Sequence, residues 1–129
     1  MNKLDKESII GISALLVHAA KIDEIYSDHE KDLIKNFIKS YLENGDPNEF
    51  LKKAEEVEKN SNQLLNYTNI IKQNSTDIKK DIIEHLWKVI ISDNTVDQYE
   101  SNLMRRICGL IYFPDKECAE IKLKLINKI

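Results

Sequence analysis

The stretch IIEHLWKVIISDNTVDQYESNLMRRICGLI, residues 82–111, decides the fold. Its first part places Ile82, Leu86, Val89 and Ile90 at intervals of three and four, the spacing of one face of an α-helix. The polar run SDNTVD (92–97) breaks that pattern. Leu103, Met104, Ile107, Leu110 and Ile111 then resume it, so the segment reads as an apolar helix, an acidic turn and a second helix.

The same arrangement occurs once more, 70 positions earlier. Ile12, Leu16, Asp23, Glu30 and Leu33 fall on Ile82, Leu86, Asp93, Glu100 and Leu103. Similar residues join them: Ala19 with Val89, Tyr26 with Val96, Ser27 with Asp97, Lys35 with Arg105 and Phe37 with Ile107. The matches fall on turn acids and core positions together, which predicts a repeated helix–acidic turn–helix unit over about residues 8–42 and 78–112.

The rest of the chain also reads as helix. A first helix over Lys6–Ile22 is apolar nearly all round and is expected at the centre. SDHE (27–30) is a capping box: Ser27 at the N-cap, Glu30 three residues on. The second helix runs from there through Leu33, Ile34, Phe37, Ile38 and Tyr41. Asp46, Pro47 and Glu49 start a third, charged helix over about 47–60, with Phe50, Leu51, Ala54 and Val57 as a narrow buried stripe. A short helix carries Leu64, Leu65, Tyr67, Ile70 and Ile71, and QNSTD (73–77) caps the next. After a break at Phe113 and Pro114 a last helix offers Cys118, Ile121, Leu125 and Ile126. Trp87 and the tyrosines are expected in or at the edge of the core. The expectation is an all-α, single domain of about seven helices spanning 1–129.

Composition agrees. A chain of 129 residues with 42% hydrophobic and 32% charged side chains can bury one core and not two. Three Gly and two Pro leave few breaks and argue against a turn-rich β fold. The net charge of −3 gives nucleic acid no electrostatic footprint. Cys108 and Cys118 lie on different helices without metal-ligand spacing and read as free thiols in a reducing compartment, with a disulfide between them the less favoured alternative. The opening imitates a signal peptide, with Lys3 and Lys6 ahead of the apolar run Ile9–Ala20. Asp5 and Glu7 cancel the charge, His18 interrupts the run, and the segment has a counterpart in the second half, so it reads as mature structure. The run is also too short for a bilayer, which takes roughly 20 apolar residues. A cytoplasmic location is expected.

The turns DEIYSDHE (23–30) and DNTVDQYE (93–100), with EHLW before and RRI after the second, resemble the tellurite-resistance TerB-like family. That family's hallmark is an apolar helix running into D-G-x-Φ-(D/S)-x-x-E, with Φ apolar, once per half. The resemblance covers nearly the whole chain and is strongest from about Asp81 to Lys122. It implies an all-α fold of seven or so helices, a role in the stress response, protein partners that include a membrane-associated complex, and divalent-metal binding by the acidic turns. The chain departs from the pattern where the family's Gly becomes Glu24 in one copy and Asn94 in the other. Asn tolerates a left-handed backbone better than Glu, which puts the first turn in doubt.

Two readings of the turns stand side by side. Asp93, Asp97 and Glu100 set three carboxylates within eight residues, and Asp23, Ser27 and Glu30 could complete an oxygen site for calcium or magnesium if the turns met in space. Alternatively the same residues are helix caps, each worth about 1 kcal/mol, with Asp23 and Asp93 tying their turns down. The spacing is not that of an EF-hand. His18, His29 and His85 show neither HExxH nor ExxH spacing, and no phosphate loop, nucleophile elbow or Cys/His pair is visible, so a non-enzyme without a small-molecule substrate is expected. Arg105 and Arg106 read as a solvated helix face.

Overall fold

A computed structural model of the chain describes residues 4–21, 26–60, 65–91 and 98–127, with the side chains of 65–66 and 98–100 outside that description. These residues form α1 (Lys6–Ala20), α2 (Asp28–Tyr41), α3 (Pro47–Asn60), α4 (Leu65–Lys72), α5 (Thr76–Ile91), α6 (Gln98–Leu110) and α7 (Asp115–Asn127). Among the described residues there is no strand. The expected all-α architecture and the seven helices are observed.

Local chemistry sets the boundaries. Asp5 accepts from the Ser8 N–H at 2.7 Å and opens α1, whose chain continues past Ala20 into the C-cap Lys21. The expected end of that helix, Ile22, lies outside the described residues. Asp46 opens α3 by accepting the Asn48 N–H at 3.0 Å, which leaves Pro47 at the position where a missing N–H costs nothing. Shifting α1 and α2 by 70 positions reproduces the bounds of α5 and α6 to within one residue at each end.

Burial then arranges the helices. α1 packs against α2, α3, α4 and α5, and its Ile12, Leu15, Leu16 and Val17 have no exposed surface. It is the central helix that its nearly all-round apolar character requires. α5 lies beside it and contributes Ile82, Ile83, Leu86, Val89 and Ile90 to the same core, while α7 packs against α5. The close fit of α4 onto α1 depends on Gly11: a Cβ there would meet Ile70 Cδ1 at 2.5 Å. Trp87 and Tyr67 are buried, as expected, and Tyr26 and Tyr41 sit half-buried at the core edge.

Three apolar side chains depart from expectation. Val57 is exposed, because α3 follows α1 through Phe50, Leu51 and Ala54 and then opens onto a cleft of about 580 Å³ beside Ile10, Gly11, Tyr67 and Ile70. Ile126 is exposed with Leu123 on the outer face of α7, whose buried edge is only Cys118 and Ile121 with Leu125 behind them. Tyr112 is 72% exposed instead of lying in the core. It takes φ 60° at the end of α6, where the Phe113 N–H donates to the Cys108 carbonyl at 2.9 Å and turns the chain back. That reversal throws the Tyr112 ring outward, under the Lys72 ammonium at 4.8 Å.

Candidate functional site

The end of α1 and the start of α2 flank the first acidic turn. Ser27 is the N-cap of α2, with its N–H and hydroxyl both donating to Glu30 Oε1, at 2.8 and 3.1 Å. The Glu30 N–H returns a bond to Ser27 Oγ at 3.1 Å, closing the capping box expected from SDHE. Glu30 is 7% exposed, unusual for a carboxylate, and the cap bonds offset part of the cost of that burial. Ser27 and Glu30 are therefore adjacent and mutually bonded.

The remaining residues expected in the cation site are placed differently. Asp23, Asp93 and Asp97 lie outside the described residues, and Glu100 falls in the first turn of α6 with its side chain outside the description. Glu24 and Asn94, which stand where the family carries Gly, are likewise outside it. Among the described residues no group of three or more His, Cys, Asp and Glu side chains is disposed to hold a metal ion.

Around Tyr26 the structure gathers charge that the sequence did not announce. The Tyr26 hydroxyl donates to Glu55 Oε2 of α3 at 2.7 Å. One turn on, Glu58 accepts from Lys21 at 2.8 Å and faces His18 Nδ1 at 3.4 Å. The ammonium groups of Lys31 and Lys21 sit over the Tyr26 ring at 4.9 and 5.8 Å. Burial pushes the Tyr26 phenol well above its ordinary range, helped by its bond to Glu55 and by the charges of Glu55, Glu30 and Glu58. Three carboxylates and two lysines thus surround one aromatic residue where α1, α2 and α3 meet. Glu55 and Glu58 escaped notice because they lie outside the repeated unit, on a helix whose many charges look alike; their spacing of three residues was the only local sign.

A second polar contact joins α2 to α5. The Tyr41 hydroxyl donates to Asp81 Oδ2 at 2.5 Å, and His85 Nδ1 donates to the Asp81 backbone carbonyl at 2.8 Å. Burial, then the bond to Asp81 and its charge, raise the Tyr41 phenol above its usual value. The His85 ring meets Phe37 edge-on at 5.2 Å, so this histidine serves packing. His29, the histidine nearest the first turn, is exposed.

A central apolar helix with a capped, carboxylate-rich corner after it defines a class: an all-α, single-domain helical module. The chain matches the family described as tellurite resistance protein TerB over residues 10–123. It belongs to that family. No curated protein and no solved structure matches the chain. Among the described residues no helix is long and apolar enough to cross a membrane.

Proposed function

We propose that this TerB-family chain is a non-enzymatic module of the cytoplasmic stress response that binds calcium or magnesium weakly through its two acidic turns. Asp23, Ser27, Glu30, Asp93, Asp97 and Glu100 supply the oxygens. Protein partners, including a membrane-associated complex, receive the cation-dependent signal. The observation that carries this reading is the family match, which runs through both turns. It is supported by the corner around Tyr26, where Glu30, Glu55 and Glu58 concentrate negative charge at the start of α2. Hard divalent cations prefer oxygen donors, and calcium takes six to eight of them, so a site of this kind also draws on backbone carbonyls and water.

Calorimetric titration of the metal-free chain with calcium and magnesium tests the proposal, with Asp93→Asn and Glu100→Gln as controls. A saturable heat that both substitutions remove is expected. No heat, or heat that ignores them, rejects it.

One observation favours a second reading, a metal-free interaction scaffold using an exposed helix face. α7 presents Leu123 and Ile126 to solvent, 56% and 39% exposed, one turn apart on the helix. A null titration together with partner binding lost in Leu123→Lys would select it.

A further inference from the structure

The bend between α2 and α3 carries a reactive dipeptide. Asn44 precedes Gly45, and no other asparagine of the chain is followed by glycine. Both residues are exposed. Among the described residues neither the Asn44 side chain nor the Gly45 N–H takes part in a hydrogen bond. Gly45 has φ 130°, a conformation open to glycine, and without a Cβ its backbone nitrogen is unshielded. Asn74 also precedes a small residue, Ser75, but its side-chain amide is held, donating to the Ile70 carbonyl at 2.7 Å. Asn36, Asn69 and Asn102 lie inside helices, whose backbone bonds engage the N–H that follows each of them.

We propose that Asn44 is a site of spontaneous conversion to aspartate and isoaspartate, with water as the co-reactant, and that the isoaspartate product loosens the start of α3. The Gly45 nitrogen attacks Cγ of Asn44, the new C–N bond closes a five-membered succinimide ring, and the Cγ–Nδ2 bond breaks. The departing nitrogen takes up the proton lost from Gly45 and leaves as ammonia. Water then opens the ring at one of its two carbonyl carbons. Cleavage at Cγ restores an ordinary backbone with aspartate at position 44. Cleavage at the main-chain carbonyl leaves the chain running through Cβ and Cγ, which is isoaspartate. One water enters, one ammonia leaves, and nothing is oxidised or reduced.

The place of the bend gives the two products different effects. Two residues on, the Asp46 carboxylate accepts the Asn48 N–H at 3.0 Å, and its carbonyl accepts from Glu49 and Phe50 at 3.0 and 3.3 Å. Gly45 is fitted against α3 and the end of α2, since a Cβ there would lie 3.4 Å from the Phe50 ring and 3.5 Å from Leu42. Isoaspartate adds a main-chain carbon to this bend and displaces the cap. Ordinary aspartate only adds a negative charge ahead of the α3 N-terminus, where the helix dipole favours it. The helix affected is the one that brings Glu55 and Glu58 to the corner around Tyr26.

The test ages the full folded chain at neutral and mildly alkaline pH, with the same chain in guanidinium chloride as reference, and reads digests by mass spectrometry. The amide-to-acid mass gain is expected at position 44 before any other described asparagine, and faster at the higher pH. Its rate in the folded chain should lie within roughly tenfold of the unfolded rate. Methyl transfer from S-adenosylmethionine by a protein isoaspartyl methyltransferase should label the same peptide. The aged chain should melt at lower temperature than the fresh one. Asn44→Gln, which would need a six-membered ring, should show neither the mass gain at that position nor the drop, and Asn44→Asp should melt no lower than the wild type. Conversion more than roughly tenfold slower folded than unfolded, a barrier raised by about 1.36 kcal/mol, would overturn the proposal, because the fold would then shield the site. Earlier conversion at another described asparagine would overturn it as well. Aged and fresh chains melting together despite isoaspartate at position 44 would overturn the loosening of α3. The wild-type mass measurement decides the chemistry without any variant.

Discussion

Replacing Tyr26 by Phe removes one oxygen and, with it, the hydrogen bond that holds the start of α2 to α3. That bond is 2.7 Å long, its acceptor is the Glu55 carboxylate, and the bond is partly buried. Bonds to charged groups contribute about 1.5–3 kcal/mol, and water reaching a half-buried pair recovers part of it, so a loss of about 1–2 kcal/mol is expected. For a chain of 129 residues, an unfolding entropy of about 2.1 cal/mol/K per residue makes each kcal/mol worth roughly 4 °C, so the midpoint should fall by about 4–7 °C. The ring remains, so the lysine contacts above it are kept. A double-mutant cycle of Tyr26→Phe and Glu55→Gln, followed by thermal and urea unfolding, isolates the pair. Their coupling should be about 1 kcal/mol, with an unchanged urea slope. Strictly additive effects, with coupling below about 0.3 kcal/mol, would refute the view that this bond anchors the corner beside the first acidic turn.

Three further outcomes are expected. The Ser13 hydroxyl lies fully buried in α1 with no hydrogen-bond partner among the described residues. Ser13→Ala should therefore stabilise the chain by about 1–2 kcal/mol, from the lost desolvation penalty and better helix propensity, and a lower melting temperature would reveal a hidden partner. Tyr112→Gly should gain about 0.5–1 kcal/mol by relieving a positive φ, while Tyr112→Val should lose stability; equilibrium urea unfolding of both checks the sign. Tyr26 and Tyr41 hold their protons more tightly folded than unfolded. Their contribution is thus complete below the unfolded phenol value near 10 and is lost as pH rises above it. Alkaline titration followed at the tyrosinate absorbance should show Tyr26→Phe and Tyr41→Phe each removing amplitude from the step that accompanies unfolding, and amplitude lost from an earlier step would contradict the assignment.

The fold was legible because its signals are local. Ser27 with Glu30, and Asp46 with Pro47, mark helix starts within four residues, and the structure places α2 and α3 where they say. Ile12, Leu15 and Leu16 reveal a central helix because a surface helix cannot be apolar all round. The family was legible too, since its motif is a short run of turn acids after an apolar helix. The corner around Tyr26 was not. Tyr26 meets Glu55 across 29 positions and Lys21 meets Glu58 across 37, and no periodicity encodes which of many glutamates a folded α3 will turn inward. Val57 and Tyr112 failed for a related reason. Periodicity says which face of a helix is apolar, not where the neighbouring helix stops or where a left-handed residue swings its side chain outward.

Trp87 is the sole tryptophan of the chain, and its indole nitrogen touches α7 alone among the described residues. Evolution has in effect left a gauge at one seam of the protein. Fluorescence from that ring reports the seating of the C-terminal helix, with emission moving to the red when α7 lifts and water reaches the indole. Any event that loosens or fastens that seam can therefore be followed in real time, without a label and without altering a residue.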